Sequence, residues 1–197
     1  MYVKLCGLRT EADVAAAVSA GADAVGFVLT KSARRIDLDT AKRLVAAVPE
    51  GILTVGVFAG LPAEQAGELA VAAGVDAVQL HGADYQRPSF DALAHLPVKL
   101  IRATPLTPDT DVRVGAHGED LLLLDSPIAG SGHRWELGTT RIEGHWLLAG
   151  GLDVHNVAAA IAQARPWGVD VSSGIESSRG VKDHGLIREF TAAAREA

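Results

Sequence analysis

The sequence predicts a single (β/α)8 barrel of parallel strands, an α/β fold. Two observations favour this fold. Short runs rich in Val, Leu or Ile alternate about eight times with Ala-rich amphipathic stretches. A motif of Gly, an apolar residue and Asp also recurs, at Gly21–Asp23, Gly74–Asp76 and Gly168–Asp170, with spacings close to two and four units of about 25 residues. The alternative is an open doubly wound sheet, since 197 residues is short for a barrel of usually ~250.

Composition narrows the class of protein. A net charge of -6 argues against a broad basic surface for nucleic acid, and 5% aromatic residues leave little for base stacking. A single cysteine excludes an intrachain disulfide and favours a reducing compartment. We find no signal peptide and no apolar run near the roughly 20 residues of a membrane span. We therefore expect one domain over residues 1–197, in the cytoplasm, with no membrane partner.

The first half of the chain shows four strand–helix units. Thr10 and Asp13 resemble a capping box that opens the first helix, which runs to about Ala20. Pro62 stands at the start of the third helix, where its missing N–H costs little. The predicted strands are Val3–Cys6, Ala24–Leu29, Ile52–Phe58 and Val75–His81, and the later helices are Asp37–Val48, Pro62–Ala73 and Tyr85–His95.

The second half is less regular. The connection from Ala103 to Gly118 contains two prolines and two glycines, so we predict a loop or a poor, short helix after strand five. The predicted strands are Val98–Ile101, Leu121–Asp125, His145–Leu148 and Val169–Ser172, and the predicted helices are a short one within Trp135–Ile142, Asp153–Ala164 and Lys182–Glu196.

Asp125 is a candidate general acid. It ends a run of four leucines, typical of a strand buried on both faces, and barrels carry their chemistry at the C-terminal ends of the strands. A carboxyl beside an apolar interior has a raised pKa, which favours the proton-donating form. The other interpretation is an Asp that simply caps the next loop.

Cys6 ends the first strand and is a candidate general base. A lone buried cysteine is more often a small hydrophobic residue. Its position at a strand end favours catalysis, and Lys4 or Arg34 could supply the positive charge that lowers a thiol pKa.

Three glycine-containing loops follow strands six, seven and eight. Glycine lets a backbone approach a ligand and expose its N–H groups, and barrels often bind phosphate after strands seven and eight. A short helix within Gly174–Ser178 could complete such a site. Each loop alone could be an ordinary turn, but together they predict phosphate contacts from Gly130, Ser131, Gly132, Gly150, Gly151, Ser172, Ser173 and Gly174.

Other strand ends offer further candidates. Arg34, or Arg35 beside it, could grip a carboxylate through a bidentate guanidinium, although both could also be solvated. Arg102 directly follows the fifth predicted strand, so we place it at the C-terminal end of that strand. His81 and Asp170 are candidate substrate contacts, with a structural histidine the other interpretation of His81. No spacing of His, Cys and Asp predicts a metal site.

These motifs together resemble the phosphoribosylanthranilate isomerase family of tryptophan biosynthesis. The resemblance covers nearly the whole chain in the right order, and its motifs are VKLCGL at 3–8, GADAVGF at 21–27, VGVF at 55–58, VQLHG at 78–82, LLD at 123–125, GSG at 130–132, LAGGL at 148–152, VDVSSGIE at 169–176 and GVKD at 180–183.

The resemblance implies a cofactor-free Amadori rearrangement of an aminoaldose into an aminoketose. It implies Cys6 as general base, Asp125 as general acid and Arg34 as a contact for the anthranilate carboxylate. The expected partner is a small phosphorylated substrate, and a monomer is one option for an oligomeric state that the sequence does not determine. A related ribosyl-phosphate isomerase or epimerase is the alternative, followed by a non-catalytic phosphate-binding barrel.

Overall fold

Eight parallel strands close into a barrel in the computed structural model, which describes residues 1–125 and 142–197. Sequence neighbours pair with one another, and β1 pairs with both β2 and β8. The predicted barrel is confirmed, and the open doubly wound sheet is wrong. The barrel strands are β1 Tyr2–Cys6, β2 Ala24–Val28, β3 Leu53–Phe58, β4 Ala77–His81, β5 Lys99–Pro105, β6 Leu121–Asp125, β7 Trp146–Ala149 and β8 Gly168–Val171.

The barrel strands bury one face in the barrel interior and the other under the helices. In β6, Leu121 and Leu123 belong to the interior apolar cluster, whereas Leu122 and Leu124 belong to the outer one. Side chains alternate along a strand, so Asp125 follows Leu121 and Leu123 on the interior face. The leucine run is buried on both faces, as predicted, and delivers Asp125 to the mouth of the barrel.

The first helix begins at the predicted capping box. The Thr10 hydroxyl accepts a bond from the Asp13 N–H, and Asp13 Oδ2 accepts one from the Thr10 N–H, each at 3.1 Å. Such reciprocal bonds satisfy N–H groups that the first turn leaves unpaired. The helices are α1 Glu11–Ser19, α2 Leu38–Ala46, α3 Ala63–Ala73, α4 Arg87–Asp91, α5 Val157–Ala164 and α6 His184–Glu196.

Two helices differ most from the prediction, and a third predicted helix lies almost wholly outside the described residues. The helix expected over Tyr85–His95 is reduced to α4. Asp153 does not open α5 directly, because its Oδ1 accepts the N–H groups of His155 and Asn156 in a preceding turn. The short helix expected within Trp135–Ile142 lies outside the described residues, apart from Ile142.

No helix connects β5 to β6 within residues 106–120, as the prolines and glycines predicted. Arg102 stabilises this connection instead. Its Nε lies 2.7 Å from Glu119 Oε1, and its Nη2 lies 2.7 Å from the Asp111 carbonyl oxygen. Assigning Arg102 to a strand end is wrong, because β5 continues to Pro105 and Arg102 faces away from the interior.

The three copies of the Gly–apolar–Asp motif have two different structural roles. Asp23 and Asp76 each accept the N–H of the second residue of the preceding strand, Val3 at 2.7 Å and Thr54 at 2.9 Å. The third copy is different, because Gly168 begins β8 rather than ending a helix, and α5 ends in left-handed backbone at Arg165. Its aspartate, Asp170, therefore lies inside the barrel.

A hairpin follows β8 where the sequence predicted a short helix. The strands β9 Glu176–Ser178 and β10 Val181–Lys182 pair antiparallel, so the helix expected within Gly174–Ser178 is wrong. Asp183 then caps α6 by accepting the N–H groups of Gly185 and Leu186. Across the described ranges, every helix is too short or too polar to cross a membrane.

Candidate active site

A cavity of about 360 Å³ opens at the C-terminal ends of the barrel strands. Side chains from β1, β4, β6 and β8 and the backbone after β7 line it. Of the residues predicted from the sequence, it brings together Cys6, Arg34, His81, Asp125, Gly150, Gly151, Asp170, Ser172 and Ser173. Arg35 does not line it, which favours Arg34 as the carboxylate contact.

Cys6 stands above a buried ion pair. The ammonium of Lys4, which has no exposed surface, lies 2.6 Å from Asp170 Oδ1. Lys4 and Cys6 share the interior face of β1, and the β1–β8 pairing places Lys4 beside Asp170. The charge of Lys4 is thus paired with the Asp170 carboxylate, directly below the thiol.

Burial raises the pKa of the Cys6 thiol above its ordinary 9.0, and the Asp170 carboxylate raises it further, whereas Lys4 and Lys182 act in the opposite direction. Positive charge is therefore present near the thiol, as the sequence suggested. Desolvation nevertheless raises the thiol pKa by more than this charge lowers it. The resting thiol is neutral at pH 7.

Asp125 has the environment expected of a general acid. Burial raises the pKa of its carboxyl, Asp170 raises it further, and His81 lowers it in part. His81 Nε2 lies 3.8 Å from Asp125 Oδ2, beyond a direct hydrogen bond. The raised pKa that the leucine run predicted is confirmed, with desolvation as its main cause.

Gln79 adds an acceptor to the cavity. Its side chain is buried, and Nε2 lies 3.4 Å from Nδ1 of His81. Oε1 has no hydrogen-bond partner among the described residues. Because an unpaired buried oxygen costs free energy, this atom is available to accept an O–H or N–H of a ligand.

Arg34 reaches the cavity from the loop after β2. Its guanidinium binds Glu176 in a bidentate pair, with Nε 2.6 Å from Oε1 and Nη2 3.0 Å from Oε2. Burial opposes the charge on Glu176, but hydrogen bonds from Arg34, Gly180 and Lys182 lower its pKa to about 2. The pair is therefore ionised at neutral pH.

Lys182 connects this pair to the end of β8. Its buried ammonium donates to Glu176 Oε1 at 3.0 Å and to the Ser172 carbonyl oxygen at 2.7 Å. The Ser172 hydroxyl in turn donates to the Cys6 carbonyl oxygen at 3.1 Å. One continuous network thus joins the loop after β2, the β9–β10 hairpin and the end of β1.

The glycine loops take three different positions. Gly150 and Gly151 line the cavity in left-handed backbone, with φ of 88° and 66°. Gly174 does not line it, because its backbone packs on the loop after β7, where an added Cβ atom would collide with the Leu152 carbonyl oxygen. Gly130, Ser131 and Gly132 lie outside the described residues.

The profile of the N-(5'-phosphoribosyl)anthranilate (PRA) isomerase family matches residues 3–193. The chain is 40% identical to N-(5'-phosphoribosyl)anthranilate isomerase of Streptococcus pneumoniae over 191 residues, which cover 95% of this chain and 92% of that protein. The chain belongs to the PRA isomerase family.

Solved structures agree with this membership. TrpF from Jonesia denitrificans has a TM-score of 0.92 and 47% identity, covering 99% of this chain and 97% of its own. A phosphoribosyl anthranilate isomerase in complex with reduced 1-(o-carboxyphenylamino)-1-deoxyribulose 5-phosphate has a TM-score of 0.82 and 32% identity over the full length of both chains.

Sequence reasoning assigned no role to three residues of this PRA isomerase fold, Gln79, Glu176 and Lys182. The period of two places Gln79 on the same strand face as His81, but this placement alone assigns it no role. Glu176 and Lys182 belong to motifs quoted for the resemblance, but their approach depends on the β9–β10 hairpin, which a short polar segment does not predict.

Proposed function

We propose that the chain converts N-(5-phosphoribosyl)anthranilate into 1-(2-carboxyphenylamino)-1-deoxyribulose 5-phosphate, an isomerisation of tryptophan biosynthesis. Cys6 acts as general base and Asp125 as general acid. The observation that carries the proposal is the meeting of these two residues, 119 positions apart in the chain, at one cavity in a PRA isomerase fold. Family membership supports the substrate, and the cavity supports the division of roles.

The first step opens the ribose ring. The protonated Asp125 carboxyl gives its proton to the ring oxygen, which leaves C1 as the C4 hydroxyl. The nitrogen lone pair forms a C1=N⁺ Schiff base at the same time. The raised pKa of Asp125 keeps its proton available at higher pH than an ordinary carboxyl would.

The second step moves a proton from C2. The Cys6 thiolate takes the C2 proton, and the electron pair forms C1=C2 while the Schiff base becomes a neutral amine. The resulting enolamine loses its O–H proton and gains one at C1, which gives the ketone. No net oxidation occurs and no cofactor takes part in these steps.

The remaining residues bind the substrate. Arg34 offers N–H groups to the anthranilate carboxylate, and the backbone at Gly150, Gly151 and Ser173 offers N–H groups to the phosphate. Asp170, His81 and Gln79 face the ribose between these two ends. Gly130, Ser131, Gly132, Ser172 and Gly174 stay proposed contributors to the phosphate side.

The activity is tested by the loss of substrate fluorescence when purified protein is added to phosphoribosylanthranilate. We expect turnover by the wild type and losses of about 10²- to 10⁴-fold in kcat for Cys6→Ser and for Asp125→Asn. The exposed Asp91→Asn is a matched control that keeps wild-type turnover. Near-wild-type turnover by either site variant would exclude the two-residue mechanism.

A wild type without turnover directs attention to the related ribosyl-phosphate isomerase or epimerase, and then to a non-catalytic barrel. Because Cys6 is the only cysteine, alkylation with iodoacetamide provides a second test. Reduced 1-(o-carboxyphenylamino)-1-deoxyribulose 5-phosphate should slow that alkylation by occupying the cavity.

We place this activity in the cytoplasm, in one domain over residues 1–197.

A further inference from the structure

The Arg34 guanidinium carries more N–H donors than its protein partner uses. The Glu176 carboxylate takes Nε and Nη2, which form the side-on fork of the guanidinium. Nη1 and the second N–H of Nη2 form a separate, end-on fork. Because Arg34 lines the cavity, it can bind Glu176 with one fork and a ligand carboxylate with the other.

Glu176 is itself held on several sides. Its side chain is only 4% exposed. Oε1 accepts from Lys182 Nζ at 3.0 Å as well as from Arg34, and Oε2 accepts from the Gly180 N–H at 3.1 Å. A carboxylate with this many donors has little freedom to turn, so it provides a rigid support for the guanidinium.

The loop that carries Arg34 gives the side chain little other support. Lys31, Ser32 and Ala33 are exposed. The Arg34 stem instead passes over Gly7, directly after β1, where an added Cβ atom would lie 2.6 Å from Arg34 Cδ. A long side chain ordered only on ligand binding loses conformational entropy at that moment, whereas an ordered one has already lost it.

We infer that Glu176 is a positioning residue, which holds Arg34 ready to bind the carboxylate of the substrate. This inference rests on the proposed function and extends it from Arg34, the proposed substrate contact, to Glu176, which holds Arg34 in place. Glu176 touches no substrate; it acts through Arg34 and sets how strongly the enzyme prefers ligands that carry a carboxylate.

The test compares two ligands by titration calorimetry. One is reduced 1-(o-carboxyphenylamino)-1-deoxyribulose 5-phosphate, and the other is its phenylamino counterpart without the carboxylate. We expect Glu176→Gln to raise the Kd of the first about 10- to 100-fold, as loss of a hydrogen bond to a charged group does, and to leave the second unchanged. In turnover, KM rises more than kcat falls.

Three further variants complete the design. Asp111→Asn breaks the same side-on fork with Arg113 at an exposed site and should change neither Kd. Arg34→Gln gives the full loss of carboxylate preference. Glu176→Asp keeps the charge on a shorter side chain and should recover part of that preference, and it replaces Glu176→Gln if near-UV circular dichroism shows that the latter is unfolded.

Equal weakening of both ligands by the Glu176 variant would overturn the inference, because it would indicate only a support for the loop. Unchanged affinity for both ligands would overturn it as well. A wild type that binds neither ligand and shows no turnover would instead reject the proposed function, so the two failures are distinguishable.

Discussion

At the scale of single residues, the site combines a proposed base, Cys6, and a proposed acid, Asp125, and burial raises the pKa of both groups. Burial raises the pKa of Cys6 above 9.0 and that of Asp125 above 3.8. Two forms of the pair carry one shared proton, thiol with carboxylate and thiolate with carboxyl, and the proposed mechanism uses the second. Both forms hold the same number of protons, so their ratio is independent of pH.

This equality predicts the pH profile. We expect kcat/KM to stay level between the two pKa values, to fall below that of Asp125 as thiolate becomes scarcer, and to fall above that of Cys6 as the carboxyl becomes scarcer. In Asp125→Asn only the thiolate is needed, so residual activity should rise with pH up to the pKa of Cys6. Steady-state rates across pH distinguish these shapes.

If Asp125→Asn instead kept the wild-type profile, with a level region and a fall at the same acid pH, that fall could not be assigned to Asp125. The exposed Asp91→Asn, which should keep the wild-type pH profile, controls for a general effect of losing a carboxylate.

Sequence reasoning reached the direction of the Asp125 pKa shift from the four leucines. It could not reach that of Cys6, because the burial that outweighs the charges of Lys4 and Lys182 arises only in the folded barrel.

At the scale of elements, the connection from β5 to β6 does without a helix because a buried ion pair supports it. Arg102 is 3% exposed and Glu119 4% exposed. Burying such charges is unfavourable unless their donors and acceptors are paired, and Arg102 also donates to the Asp111 and Arg113 carbonyl oxygens. The pair thereby organises a segment that lacks a regular ladder of its own.

Removing one partner leaves an uncompensated buried charge. We expect Glu119→Gln to lower the free energy of unfolding by about 3–5 kcal/mol in urea titrations at pH 7. Arg102→Met with Glu119→Gln should recover much of this loss, because neither charge remains. Asp111→Asn, which breaks the exposed pair with Arg113, should cost less than about 1 kcal/mol. A single-variant loss as small as that control would show that the pair does not support the connection.

Most elements were predictable because their signals are local. The Thr10–Asp13 capping box and the leucine run of β6 depend on residues that adjoin in sequence, and both were confirmed. The β9–β10 hairpin was not predicted, since its five strand residues are held by distant partners such as Arg34. The prolines and glycines after β5 indicated that a regular helix was unfavourable there. The ion pair of Arg102 with Glu119 could not be predicted, because these residues are 17 positions apart and meet only in the fold.

At the scale of the whole molecule, the site exists only when the two ends of the chain meet. The pairing of β1 with β8 brings Lys4 to Asp170, and the hydroxyl after β8 reaches the Cys6 backbone. Outside the barrel, α1 packs on α6, and Arg195 Nη2 donates to Asp23 Oδ2 at 2.7 Å. Weaker pairing of β1 with β8 would therefore disturb Cys6, the proposed base, although Asp125 stands on another strand.

The Asp13 carboxylate both caps α1 and contacts α6, so it links the first helix of the barrel to the last. Its Oδ2 accepts the N–H groups of Arg9 and Thr10, and Oδ1 lies 3.0 Å from Nε2 of His184 at the start of α6. Burial opposes ionisation, but these bonds lower the pKa of Asp13 below its ordinary 3.8. A lowered pKa gives stability that is present above 3.8 and is lost as pH falls through the folded value.

We therefore expect Asp13→Asn to cost about 1–2 kcal/mol of unfolding free energy at pH 7, because an amide has a single acceptor oxygen for the two sets of donors. The difference from wild type should shrink as pH falls below 3.8. Asp37→Asn is the matched control, since Asp37 caps only α2 through the Thr40 N–H and Asn caps about as well. Urea titrations of the three proteins at pH 7 and pH 3 measure this, and an Asp13 variant as stable as the Asp37 variant at pH 7 would remove Asp13 from the closure of the barrel.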